Sequence, residues 1–271
     1  MNSYRFFRMY VRLWAHHQIS LRAAALTYTF ILAIIPLLAV CLSGGSLFFN
    51  VHDLNTRFMA FLVQHLAPGS AAKVSTLLTS FLAKVHFKAM GYVGFAALLV
   101  TCLLLLSSVE SSINRIWSIR RRKELWKRIV IYNLLLVVGP ASVSISLSTI
   151  TFVSRYFPNY AAKANIGAFL INALFLTMVY KIFPNKRVNW SAALIAATLA
   201  ALAAELAKWG YAIYTAKALF YNEIYGGLAI LPLFLIWIYV NWNLFLGGAL
   251  LTYMIQHRKS YRLAPSNGEK A

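Results

Sequence analysis

The stretch MGYVGFAALLVTCLLLLSSV, residues 90–109, is uncharged throughout. It is followed at once by Glu110, by Ser-Ser-Ile-Asn-Arg-Ile-Trp at 111–117, and by a basic run of Arg120, Arg121, Arg122, Lys123, Lys127 and Arg128. A helix of that length covers about 30 Å, the thickness of a bilayer's hydrocarbon core. The stretch is therefore predicted to span a membrane. Short loops rich in Lys and Arg stay on the cytoplasmic side, so Arg120, Arg121, Arg122 and Lys123 are expected to be topology anchors. Every other segment is oriented from this turn.

Composition agrees with that reading. Of the 271 residues 61% are hydrophobic and only 12% charged, more apolar material than a soluble domain of this length hides in one core. The formal charge of +20, from 26 basic and 6 acidic residues, would suggest nucleic acid in a soluble chain. In a membrane chain it is the expected signature of positive ends facing anionic headgroups at the cytoplasmic face. The expected partners are therefore membrane lipids and not nucleic acid, and the sequence leaves the oligomeric state open.

Outward from the opening stretch, the chain reads as an all-α, polytopic membrane helix bundle. Six transmembrane helices are predicted at about 23–49, 90–109, 129–154, 164–180, 188–207 and 226–256, within a single membrane domain over 1–260. Residues 1–22 are too interrupted by Arg5, Arg8, Arg12 and Arg22 for a cleavable signal peptide. They read as an amphipathic helix in the headgroup plane, with Tyr4, Phe7, Val11 and Trp14 on one side. Pro36 predicts a kink in the first span, and Gly44-Gly45 an early end to it.

Residues 51–88 are too polar to cross, yet carry two helical patterns separated by Pro68-Gly69, which predicts an outer amphipathic helical hairpin serving as a lid or as an interfacial cap. The fifth span has nine alanines from Ala192 to Ala207 and is expected to pack centrally, because small residues let helices approach closely in lipid. Residues 261–271 read as a mobile tail. Six spans put both termini on one side. Eighteen of the 26 basic residues then lie in segments facing the cytoplasm and eight outside, which places the termini in the cytoplasm.

Chemistry-bearing motifs are sparse. Cys41 and Cys102 fall at different depths of their spans, which argues against a disulfide, and no His or Cys spacing suits zinc. The six acids, Asp53, Glu110, Glu124, Glu205, Glu223 and Glu269, are spread over both sides of the bilayer and the tail, so no catalytic cluster, metal site or cofactor site is predicted.

Four motifs occur in order along the chain: Ala24-Ala25-Leu26-Thr27-Tyr28 with Pro36-Leu37-Leu38; Asn114-Arg115-Ile116-Trp117; Phe183-Pro184-Asn185-Lys186-Arg187-Val188-Asn189-Trp190; and Tyr225-Gly226-Gly227-Leu228 with Trp237-Ile238-Tyr239 and Leu246-Gly247-Gly248-Ala249. Together they resemble the YihY/BrkB family of bacterial inner-membrane proteins over nearly the whole length. The resemblance implies a multi-pass protein of the cytoplasmic membrane. The family's old label, ribonuclease BN, would imply a nuclease, which the scattered acids do not support. Leu250 stands where many relatives carry an acid, so no role resting on that acid carries over.

The candidate functional residues are the polar groups that lipid makes costly. Glu110 and Asn114 share a helix face; Arg115, the cations of the following turn, or Arg258 are expected to pair with Glu110. Glu205 and Lys208 form a second pair, and Asn172 and Asn241 are candidates for interhelical bonds or pore lining. Left against lipid, the Glu110 carboxylate would cost on the order of 1 to 3 kcal/mol, so it is expected to face protein or water. Three functions fit: a transporter or flippase of an envelope lipid or other amphiphilic or anionic substrate; a non-transporting scaffold for envelope biogenesis; and, more distantly, a membrane-bound hydrolase. The residues themselves predict no enzyme.

Overall fold

The computed structural model describes residues 3–45, 87–119, 161–217 and 230–258, together with 124, 126–128, 130–135, 138–139, 142 and 145. All regular structure among them is α-helical: α1 (Ser3–His16), α2 (Ile19–Gly45), α3 (Phe87–Ile116), α4 (Ala161–Ile182), α5 (Trp190–Lys217) and α6 (Ile230–Gln256). The described residues between 126 and 145 are all helical. The outer hairpin at 51–86, the anchors Arg120, Arg121, Arg122 and Lys123, the start of the sixth predicted span at 226–229 and the tail at 261–271 lie outside the described residues.

Several boundaries differ from the sequence reading for physical reasons. Residues 87 and 88, assigned to the hairpin, open α3 instead. At its other end α3 runs past Glu110 to Ile116, because the carboxylate is paired inside the protein and does not stop the helix. What stops it is a Schellman turn. The amide of Ile119 donates to the carbonyl of Asn114 at 2.9 Å and that of Ser118 to Arg115 at 3.0 Å, with Ser118 in the left-handed conformation at φ 53°. Beyond it, the described helical residues from 126 lie against α3, where Arg128 and Tyr132 reach Ser107 and Glu110. Similarly, α1 and α2 are separated by Gln18 at φ 52°, and the indole of Trp14 holds the elbow by donating to the Ser20 hydroxyl at 3.1 Å.

Large apolar side chains face outward on α4 and α5, as well as inward. On α5, Ala192, Ala193, Ala196, Ala197, Ala200 and Ala201 are buried, while Leu194, Ile195, Leu199, Leu202 and Leu206 are exposed. On α4 the exposed stripe is Ile166, Leu170, Leu174 and Met178. Water would drive such surfaces together, whereas lipid solvates them and leaves close packing of small residues to hold the helices. Trp190 and Trp209, 60% and 75% exposed, lie 19 residues apart on α5, about 28 Å of helix. That places an interfacial aromatic at each end of one hydrocarbon thickness. Trp190–Thr215 and Pro232–Gln256 are each long and apolar enough to cross a membrane.

The central described helix is α6, not the alanine-rich α5. It packs on α5, α2, α1 and α3, whereas α5 lies between α4 and α6. Its Gly247-Gly248 pair makes this possible. A Cβ on Gly248 would stand 2.8 Å from that of Ala200 and would overlap the Tyr180 hydroxyl, and one on Gly247 would stand 2.6 Å from the Trp14 ring. The small residues of α5 were therefore legible as a packing face, but the glycines of α6 decide which helix sits in the middle.

Candidate functional site

Two features sit side by side in the bundle: a buried polar cluster and an apolar cavity. The cluster is built on the α3 face that carries Ser107, Glu110 and Asn114, and on the helical residues that come after the Schellman turn, Arg128 and Tyr132. Glu110 is 4% exposed and is the only charged residue buried among the described ones. Arg128 Nε donates to Glu110 Oε2 at 3.0 Å, and the Tyr132 hydroxyl donates to the same oxygen. Arg128 Nη2 donates to Ser107 Oγ at 2.8 Å and to the Tyr132 hydroxyl at 3.0 Å. The Asn114 amide reaches Oε1 only at 3.5 Å, while its Oδ1 accepts from the backbone amide of Asn185 at 2.9 Å. A low-dielectric surrounding strengthens each of these charge-assisted bonds and makes the loss of any partner costly.

Through Asn114 the cluster reaches the loop between α4 and α5. The loop forms because Pro184 disfavours helix at Phe183, ending α4 at Ile182. Its backbone groups are then satisfied by side chains from three helices. Gln256 accepts from the Asn189 amide at 3.0 Å and donates to the Arg187 carbonyl at 2.9 Å, and Lys181 donates to the Val188 carbonyl at 2.8 Å while lying over the Trp190 ring.

The cavity has a volume of about 460 Å³, within the roughly 300–1,000 Å³ typical of ligand sites. Its walls come from α2, α3, α4, α5, α6 and Leu135, and are almost wholly apolar, with Phe30, Phe175, Trp237, Trp242 and Phe245 among them. Ala200 and Ala204 line it ten and fourteen residues along α5 from Trp190, about 15 and 21 Å from that interface. Its α5 wall therefore lies near the middle of the hydrocarbon thickness, while Phe183 brings it toward the loop between α4 and α5. Leu106 and Val109 on α3 line it and adjoin Ser107 and Glu110 in sequence; Leu135 lines it one turn from Tyr132. The polar cluster is thus built on residues next to those of the α3 wall, although none of its own side chains lines the cavity.

The other candidate residues fall elsewhere. Arg115 and Arg258 are both exposed; the described cation that pairs with Glu110 is Arg128, after the turn that follows. Glu205 and Lys208 form a part-exposed pair within one turn of α5, 2.7 Å apart. Asn172, partly buried on α4, stands outside the cluster. Asn241 lines the cavity, but its amide donates back to the Trp237 carbonyl at 2.7 Å. Tyr132 and Ser107 escaped the sequence reading. The available signal was the i, i+4 spacing of Arg128 and Tyr132 at the head of a span, opposite an acid on the preceding one.

An α-helical bundle with large apolar side chains facing outward, small residues packed inside and a buried carboxylate paired within the protein has the character of an integral membrane protein. The sequence profile described as "Virulence factor BrkB" matches residues 10–271, and the chain belongs to that family of membrane proteins. It is 33% identical over 243 residues to a UPF0761 membrane protein of Verminephrobacter eiseniae, covering 86% of this chain and 58% of that protein. It is 32% identical over 236 residues to the UPF0761 membrane protein RSc1559 of Ralstonia nicotianae, covering 84% of this chain and 53% of that one. With a UPF0761 membrane protein of Vibrio vulnificus it shares 29% identity over 267 residues, covering 96% and 85%. The chain thus spans little more than half the length of the first two. No solved structure matches it.

Proposed function

We propose that this chain is a multi-pass protein of the bacterial inner membrane, with six spans and both termini cytoplasmic, that moves an envelope lipid or other anionic amphiphile across the bilayer as a transporter or flippase and catalyses no chemical reaction. The observation that carries this reading is the apolar cavity of about 460 Å³, with the Glu110–Arg128 pair built next to residues of its α3 wall. Apolar walls beside charged donors suit a molecule with a hydrocarbon chain and a polar head. The topology is checked by reporter fusions after Lys259 and within residues 71–84, which are expected to report opposite sides; the same side for both contradicts it. Transport is checked in vesicles holding a fluorescent phospholipid whose outer-leaflet label is destroyed by an impermeant reductant. Protein is expected to expose the inner-leaflet label as well, and vesicles indistinguishable from protein-free ones contradict the reading.

A second reading, a non-transporting scaffold for envelope biogenesis, draws on a different observation. The buried Thr27, Thr177 and Thr252 hydroxyls and the Asn241 and Asn243 amides all bond to carbonyls of their own helices. They offer no polar path across the bundle. A hydrolase would need a nucleophile and base or a metal-binding acid beside Glu110, where the groups among the described residues are an arginine, a tyrosine, a serine and an asparagine.

A further inference from the structure

We propose that Arg128 receives the acidic headgroup of the amphiphile whose chain occupies the cavity, and that Glu110 is a built-in competitor which holds Arg128 while no ligand is bound. This rests on the reading of the cavity as the site for an apolar chain. The donor set around Arg128 is larger than one carboxylate uses. The guanidinium and the Tyr132 hydroxyl both converge on Oε2, Arg128 also reaches the Ser107 hydroxyl, and among the described residues Oε1 has only the 3.5 Å contact from Asn114. A carboxylate matched to arginine normally engages both oxygens in a fork. Guanidinium, tyrosine hydroxyl, serine hydroxyl and asparagine amide together form an array suited to an oxyanion with more acceptors, such as a phosphate ester.

Position supports the same assignment. The Arg128 side chain is 14% exposed, which keeps it within the protein, and its partners Ser107, Glu110 and Tyr132 border cavity-lining residues on both of its helices. One molecule can therefore place a head on the cluster and a chain in the cavity. Arg22, Arg187 and Arg258 belong instead to the ends of the helices and the loop between α4 and α5, where they attract anionic lipid without reference to the cavity.

The test is native mass spectrometry of the full chain in micelles doped with phosphatidylglycerol, with phosphatidylcholine of identical chains, or with inorganic phosphate. In Glu110→Gln the competitor is gone, and phosphatidylglycerol is expected to bind about tenfold more tightly than in wild type, the factor that one freed charge-assisted bond supplies. Phosphatidylcholine and inorganic phosphate are expected to be unchanged. The double variant Glu110→Gln with Arg128→Gln leaves no unpaired buried charge and so is expected to fold; it should lose the gain. No gain in Glu110→Gln, or a gain that survives in the double variant, overturns the proposal. A gain reproduced by inorganic phosphate alone overturns its amphiphile. Failure of wild type and variants alike to retain either lipid removes the cavity reading itself.

Discussion

Glu110 and Arg128 satisfy each other inside the protein, where an unpaired charge is costly, and this governs what substitutions there do. Truncating Glu110 to alanine strands a guanidinium and is expected to cost about 3–5 kcal/mol, whereas neutralising both partners is expected to cost much less. Thermal unfolding in detergent checks the order: the double glutamine variant should melt above Glu110→Ala. A second titrating site lies outside the spans. His17, in the turn between α1 and α2, has its pKa lowered from the ordinary histidine value of 6.5 by burial, then by the charges of His16 and Arg22; the Tyr253 ring also faces it. Its neutral form is thus favoured in the fold. Stability from this residue is fully present above pH 6.5 and is lost as pH falls through the lowered value. The unfolding temperature is expected to drop on acidification below pH 6.5, by less in His17→Gln. Glu110 was legible because an acid directly after a long uncharged run has to face inward. Arg128 was not separable from its neighbours, since several cations follow that turn and which of them meets Glu110 depends on how the next helix packs on α3.

Helices were easier to read than their arrangement. Hydropathy and length locate α2 to α6 to within a few residues at most ends, and the inward face of α5 follows from its alanines. The central place of α6 does not, because it depends on two glycines whose neighbours, Trp14, Tyr180 and Ala200, come from three other helices. The backbone approach at Gly248 makes a prediction. Gly248→Ala places a methyl into the Tyr180 hydroxyl and the Ala200 Cβ and is expected to destabilise by about 1–3 kcal/mol, partly offset by alanine's better helix propensity. Adding Tyr180→Phe removes the hydroxyl, the nearest atom in the way, although the ring carbon that bore it still stands 2.8 Å from the methyl and the bond to the Phe245 carbonyl is given up. The pair is expected to be more stable than Gly248→Ala alone, as read by thermal unfolding, and additive losses would argue that Tyr180 is not what the methyl meets.

At the scale of the whole molecule, the membrane setting was legible from composition, but the cavity was not. Its walls draw residues from five helices and Leu135, and each taken alone has the look of ordinary core. The central claim is that this space admits an amphiphile's chain during passage across the bilayer. Ala204 lines it on α5 and is only partly buried, so Ala204→Phe narrows the cavity without entering the Gly248 contact. The decisive measurement is the rate at which inner-leaflet fluorescent phospholipid becomes accessible in vesicles carrying wild type or Ala204→Phe, at equal incorporation and with unfolding temperatures compared. The predicted result is rapid exposure with wild type and, with a variant of unchanged unfolding temperature, a rate close to that of protein-free vesicles; equal rates for the two proteins would contradict the account.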